Sequence, residues 1–438
     1  MRWPDSWTDA ALLDLVKGTA IDCLLIAKGE EQAAVRARAQ QEGIHVADPD
    51  AAPAGVQIVK GAWPGVQMGR GRGGGGGGGR GTGTGGRGAG TGVPDAPGVT
   101  GGLAATGGPG ASAGPTGVPW VDSNGWNVRV NRTLHAGDAV WVNAPPAARA
   151  FITADSYLIA IADSAAYGGR WIITLDAPLA ASLAARKADS LTTWKRVAAA
   201  AGFFAAHKDW PDYTPKAVVG VVSDFTGDNE FFSNELLNLM GREGLQYRIV
   251  PKDKVSAASF ESLRAVSYTD ETPPSAELRK QTLEFVQAGG MLIAAPAWGA
   301  VAGTPATTGL RPGFSVRVLG KGRIALADAA PVDPFSWAAD ASVLVSHRYD
   351  LVRFWNGGAA CAYYTMAPGG KQALVHLLFY AMRGPDSATV RIVGRYRAAR
   401  ASTVTEPQVA NLKMAAQGDA VEVYLPPVSQ YVALELDV

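Results

Sequence analysis

The chain has 438 residues, 47% of them hydrophobic and 18% charged, and 40 Lys+Arg against 39 Asp+Glu leave a formal net charge of +1. That length implies more than one core, and the near-zero balance argues against a nucleic-acid or anionic-membrane partner recruited by bulk charge. Two Cys exclude a disulfide scaffold and a Cys-built zinc site, five scattered His show no metal-ligand spacing, and no apolar run reaches the roughly 18 residues of a membrane-spanning helix.

In chain order, residues 21–26 form a short apolar run suited to a strand. Residues 30–41 are rich in Ala, Arg and Gln and predict a helix that Gly43 ends. Strands are expected at 44–47 and 56–59. Of the 54 Gly, 24 then fall in the 49 residues from Gly69 to Gly117. This insert has almost no large apolar side chains with which to offset its ordering entropy, so it reads as a long solvated loop. Its four Arg lack the interleaved aromatics of an RNA-binding tract. Strands follow at 118–121 and 139–143, a helix at 155–167 closed by Gly168-Gly169, a strand at 170–175, and a long Ala-rich helix at 179–207. This alternation predicts parallel strands covered by helices.

A second unit starts at Ala217, with strands at 218–222, 247–250, 263–268 and 291–295. Between them lie an amphipathic helix at 229–242, with Phe231, Phe232, Leu236, Leu237 and Met240 inward, and a helix from Pro273-Pro274-Ser275 to Gln287. That is a four-strand doubly wound, flavodoxin-like sheet. From Phe314 the pattern becomes alternating, with strands at 315–319, 322–326, 360–364, 372–379, 388–393, 421–425 and 431–436 and one helix at 334–355. An all-β sandwich is expected. The fold class is therefore α/β multidomain: a shortened (β/α) barrel-like domain at 1–210 carrying the insert, a flavodoxin-like domain at 211–312, and a C-terminal β-sandwich at 313–438.

This layout resembles family-42-type β-galactosidases and related bacterial glycosyl hydrolases. The segment from Val218 to Gly299 resembles their middle domain, which is similar to a class I glutamine amidotransferase and serves trimerisation. The stretches Leu374-Val-His-Leu-Leu-Phe-Tyr380 and Val421-Glu-Val-Tyr-Leu-Pro-Pro427 resemble their terminal sandwich. The resemblance implies a saccharide ligand or substrate, a homo-oligomer through the middle domain, and no cofactor. It also implies export, although the chain begins Met-Arg-Trp-Pro-Asp-Ser-Trp without an apolar signal run. Two residue patterns depart from it. Cys23 and Cys361 lie in apolar runs outside the middle unit, so no thiol stands on an amidotransferase elbow. The first 210 residues hold only Glu30, Glu31 and Glu42, all on or beside the first helix, so no strand-borne Glu pair exists.

Carboxylates expected just after strands are Asp48, Asp122 and Asp176. Each can act as acid, base or nucleophile, or simply cap a helix or close a turn. In Trp120-Val-Asp-Ser-Asn-Gly-Trp126 two aromatics, a carboxylate and an amide surround one strand end. Trp120, Asn124 and Trp126 thus form a candidate saccharide subsite with Asp122 and Asp176 as the catalytic pair, and Trp63, Trp141 and Asp48 extend it. A buried Trp core with an Asx turn is the alternative. Asp224 and Asp228 stand where open α/β sheets bind ligands, with helix capping as the alternative. His347 and Arg348 are expected to contact a neighbouring domain. Two function classes follow: a glycosidase working through a carboxylate pair, or a non-catalytic saccharide-binding or assembly protein on the same frame.

Overall fold

In the computed structural model, residues 1–66, 121–355, 359–381, 384–404, 409 and 411–438 are described, while the Gly-rich insert and Trp120 fall outside them. In the first unit β1 (Cys23–Leu25) pairs in parallel with β2 (His45–Ala47). β3 (Val56–Lys60) pairs in parallel with β4 (Ala139–Asn143), and β4 with β5 (Arg170–Trp171). Arg2 joins the two groups by parallel bridges to Leu25 and Thr174. The segments therefore lie in the order 45–47, 23–25, 1–3, 170–174, 139–143, 56–60, the sequential order of a (β/α) barrel. Among the described residues no ladder joins β2 to β3, and no closed barrel forms.

Alternation along these strands sets what each side chain meets. Trp3, Leu24, Val140, Val142, Trp171 and Ile173 pack outward against the helices. Cys23, Leu25 and Ile172, with Ala47, Ile58 and Trp141, pack inward as a small separate cluster. The helices are α1 (Glu30–Gln41), α2 (Gly125–Leu134), α3 (Ala154–Ala165), α4 (Ala177–Ala184) and α5 (Ala188–Ala206).

Two expectations for this unit are corrected. The long helix at 179–207 is two helices, because Arg186 adopts φ +50 and the backbone turns there. Arg186 N donates to Leu183 O and Lys187 N to Ser182 O, the paired bonds of a Schellman stop, normally made with Gly. An Ala-rich composition carries no sign of that break. Of the strand expected at 118–121, residues 118–120 lie outside the described residues, and the described Val121 does not join the parallel strands. Val121–Asp122 pairs antiparallel with Gly65–Val66 instead.

The middle sheet comprises β6 (Val219–Ser223), β7 (Tyr247–Pro251), β8 (Ala265–Tyr268), β9 (Met291–Ala294), β10 (Phe314–Leu319) and β11 (Gly322–Ala327), with the two-residue strand Thr304–Pro305 at the edge beside β10. Its parallel part runs β7-β6-β8-β9-β11, the 2-1-3-4-5 order of flavodoxin-like folds. α6 (Glu230–Arg242) and α8 (Pro334–Val345) cover one face through Leu236, Leu237, Met240, Trp337 and Ala341. α7 (Ala276–Ala288) covers the other through Leu278 and Val286. Phe231, expected inward, is 56% exposed.

The two strands expected to open the sandwich, at 315–319 and 322–326, belong to this sheet, so its last parallel strand lies beyond the anticipated boundary at 312/313. They alternate because β10 and β11 form an antiparallel hairpin, and period-2 patterning does not say which sheet a hairpin joins. The helix expected at 334–355 stops at Val345, and its last residues become β12 (Val352–Trp355). With it come β13 (Ala360–Met366), β14 (Gln372–Phe379), β15 (Ala388–Val393), β16 (Ala398–Ser402), β17 (Met414–Gln417), β18 (Ala420–Leu425) and β19 (Tyr431–Asp437). They form two antiparallel sheets, β12-β15-β18-β17 and β16-β19-β14-β13. Val375, Leu377, Phe379, Val390, Ile392, Val423 and Leu434 fill the space between them. The outer face of the second sheet, through Cys361, Tyr363, Leu374, Leu378, Tyr380 and Tyr431, joins the core of the first unit.

Candidate functional site

The carboxyl-end mouth of the first unit follows from its strand alternation. Met1 and Trp3 pack outward, so Arg2 points inward, and its guanidinium reaches across β1 to donate to Pro49 O at 3.1 Å. By the same alternation Lys60, Asn143 and Thr174 sit one step beyond the inward Ile58, Trp141 and Ile172, and Lys60 faces Asn143 in the ladder. Arg2 Nε and Asn143 Oδ1 are buried without a hydrogen-bond partner. Neither Arg2 nor Lys60 has an ion-pair partner among the described residues. The mouth thus presents an amide, a hydroxyl and two cations.

Asp48 lies at this mouth, 2.8 Å from Lys28 Nζ and accepting from Asp50 N. The Lys28 ammonium, helped by that backbone bond, holds its carboxyl below the usual range. Asp176 is buried as the N-cap of α4, accepting from Leu179 N at 3.1 Å and from the Tyr157 hydroxyl at 3.1 Å, while its own N–H donates to that hydroxyl at 2.8 Å. Asp122 faces the middle unit. Its negative charge adds to the burial that raises the Glu235 carboxyl on α6, against an opposing bond from Asn238. Next to it, Ser123 Oγ donates to Asn238 Oδ1 at 2.9 Å. Asp122 and Asp176 therefore face different neighbours, and no hydrogen bond joins them.

Asn124, 2% exposed, acts as a clamp. Its side chain accepts from Ala62 N and donates to Ala62 O, both at 2.9 Å, and donates to Asp163 Oδ2 at 3.0 Å. Asp163, fully buried, also accepts from Asn124 N and from the Tyr380 hydroxyl, each at 2.6 Å. Burial pushes its carboxyl up to about 6 against those three bonds. Sequence reasoning passed over Asp163. Its one signal was an acidic residue directly after the apolar run Leu158-Ile-Ala-Ile-Ala162, within the same helix.

Of the aromatic residues anticipated for stacking, the three that are described, Trp63, Trp126 and Trp141, pack against other side chains. Trp63 meets Tyr157 and Trp171 edge-on at 5.2 and 5.0 Å. Trp126 packs on the middle core and Trp141 lies inside the strand ring. Trp120 is outside the described residues. His347 Nδ1 donates to Asp350 Oδ2 at 3.0 Å, and Arg348 covers the Tyr349 ring, both in the turn after α8. Asp224 binds Lys252 and Asn229 rather than capping α6, whose N-cap is Asn229.

A cavity of about 420 Å³ opens on the opposite, amino-end side of the first unit, between Ile21, Cys23, Trp141, Arg170, Phe204 and His207. It lies away from every candidate carboxylate. Burial raises both thiols, Cys361 to about 11, which leaves neither in the state of a reactive thiolate. Among the described residues no group of three or more His, Cys, Asp or Glu could hold a metal ion, and no helix is long and apolar enough to cross a membrane.

The sequence matches no family model and no curated protein. Among solved structures the chain is similar to α-L-fucosidase isoenzyme 2 from Paenibacillus thiaminolyticus, at 10% identity, 68% of this chain, 60% of that chain and a TM-score of 0.45. It is also similar to a GH42 β-galactosidase from G. stearothermophilus (10%, 74% and 62%, 0.43) and to the β-galactosidase of Bacillus circulans sp. alkalophilus (8%, 69% and 60%, 0.44). The chain spans about three fifths of the length of these structures.

Proposed function

We propose that this chain is a non-hydrolytic, saccharide-binding protein on a glycosidase-like frame, with its ligand at the carboxyl-end mouth of the first unit. The observation that carries this reading is the chemistry of that mouth. Arg2 Nε and Asn143 Oδ1 are buried and unpartnered, while Lys60 and Thr174 beside them offer further donors. Groups of this kind bind sugar hydroxyls through convergent hydrogen bonds. The carboxylates nearest by sequence are engaged elsewhere: Asp48 pairs with Lys28, and Asp176 caps α4.

A hydrolytic reading keeps one observation in its favour. Glu235 is a carboxyl raised by burial beside the charge of Asp122, the kind of separated pair that supplies an acid and a base.

Both readings are tested by offering a panel of aryl glycosides and polysaccharides to the wild type and to Asp122→Asn, Glu235→Gln and Asn143→Ala. The expected outcome is no turnover in any form, with saccharides raising the melting temperature of the wild type but not of Asn143→Ala. Turnover lost in both carboxylate variants would replace binding with hydrolysis. A saccharide response unchanged in Asn143→Ala would remove the mouth from the reading.

A further inference from the structure

In a 2-1-3-4-5 sheet the connections leave strands 1 and 3 toward opposite faces, and the crevice between their carboxyl ends is where such sheets receive ligands. Here those strands are β6 and β8. A crevice of about 290 Å³ lies at their ends, lined by Asp228, Asn229, Phe232, Asp270, Glu271 and Pro296 among others. It belongs to the middle unit, and the saccharide reading makes no use of it.

Its walls are held by a fixed polar frame. The chain leaves β6 through Phe225, buried and at φ +58, a left-handed conformation for a bulky side chain. Ser223 Oγ accepts from Phe225 N at 3.1 Å and supports the turn. The Asn229 amide donates to both Asp224 oxygens at 3.1 Å and accepts from Glu271 N at 3.1 Å, which ties the end of β6 to the end of β8. Lys252, from the end of β7, contacts Asp224 and donates to Asp270 Oδ2 at 2.9 Å.

Asp270 is 1% exposed, and its Oδ1 has no partner in hydrogen-bond geometry, although the Ser223 hydroxyl lies near enough to favour its charged form. Asp270 lines the crevice, and a buried carboxylate oxygen without a well-aligned donor is costly unless one arrives. Three carboxylates, Asp228, Asp270 and Glu271, line the crevice, and Lys252 behind it pairs with Asp270 and Asp224, while Phe232, Ala295, Pro296 and Pro331 give the lining its apolar part.

We propose that this crevice binds a small organic cation, a primary ammonium on an apolar body. Asp270 Oδ1 accepts from the ammonium, Asp228 and Glu271 supply counter-charge at the rim, and Phe232 and Pro296 flank the apolar part. The excess of carboxylate selects a cation, and the apolar lining selects an organic one over a hydrated metal ion.

The test is calorimetric titration of the full chain with benzylamine, benzyl alcohol and benzoate at neutral pH. Benzylammonium is expected to saturate below about 10 mM, with no saturation by the neutral or anionic analogue. Its affinity should fall at least about tenfold in Asp270→Asn and a few-fold in Glu271→Gln, and should weaken with added salt. Asp270→Asn also removes a partner of Lys252, so unfolding of that variant would hide its effect. Glu271→Gln, at the exposed rim, then carries the comparison. Equal binding of benzyl alcohol, affinity unchanged in Glu271→Gln, or no saturation at all would overturn the proposal. The saccharide reading concerns another unit and stands or falls separately.

Discussion

Asp163 and His376 are two buried titratable groups whose burial acts in opposite directions. Burial raises Asp163 to about 6, above the value near 3.8 it takes in an unfolded chain. Its contribution is therefore fully present below about pH 4 and is lost as pH rises through 6, a change on the order of 3 kcal/mol. His376, fully buried and bonded to the Tyr431 hydroxyl at 2.8 Å, is lowered to about 3 by burial first and then by the neighbouring His207. Its contribution is full above about pH 6.5 and is lost as pH falls toward 3. Between pH 4 and 6 the two slopes oppose. Asp163→Asn removes one of them, so chemical denaturation of that variant should show stability falling with acidification across this window more steeply than in the wild type. An unchanged slope would mean that the charge on Asp163 is not what burial disfavours.

At the level of elements, packing decided what patterning left open. The β10–β11 hairpin alternates as a sandwich hairpin would, yet β11 docks beside β9 because its start can approach the backbone there. A Cβ built on Gly322 would lie 2.1 Å from both the Val286 and Gly290 carbonyl oxygens. Gly322→Ala must therefore push β11 off the end of α7, and a loss of more than about 3 kcal/mol is expected from its unfolding curve. A loss under about 1 kcal/mol would show that the contact relaxes freely. The break at Arg186 teaches the same lesson from the other side, since a helix-favouring composition does not reveal where tertiary contacts end a helix.

On the scale of the whole molecule, the first unit and the sandwich share one core. Tyr380 and Tyr431 of the sandwich pack with the helices of the first unit, and the Asp163–Tyr380 bond crosses the same boundary. A fragment of residues 1–210 would expose that face to water. It is expected to lack a cooperative thermal transition that the full chain shows, as read by calorimetry. A sharp transition in the fragment would make the first unit self-sufficient.

Much of this architecture was legible in the sequence, because period-2 and period-3.6 patterning with Gly and Pro punctuation reflects local backbone chemistry. The first four parallel strands of the middle sheet, α6 and α7, and five of the seven strands from Ala360 to the end stand where runs of apolar residues indicate them, whereas β16 and β17 carry no such run. The glycine-rich tract is plain in the composition, but the loop expected there lies outside the described residues. The candidate site was legible only as residue types. That Asn124 clamps Ala62 and Asp163, that Asp176 is buried against the Tyr157 hydroxyl, and that Trp63 and Trp141 lie within packing all depend on partners between 19 and 108 positions away in the chain. A carboxylate after a strand has the same local signature whether it caps, pairs or reacts. Only tertiary structure, by fixing burial and partners, decides which of those free energies applies.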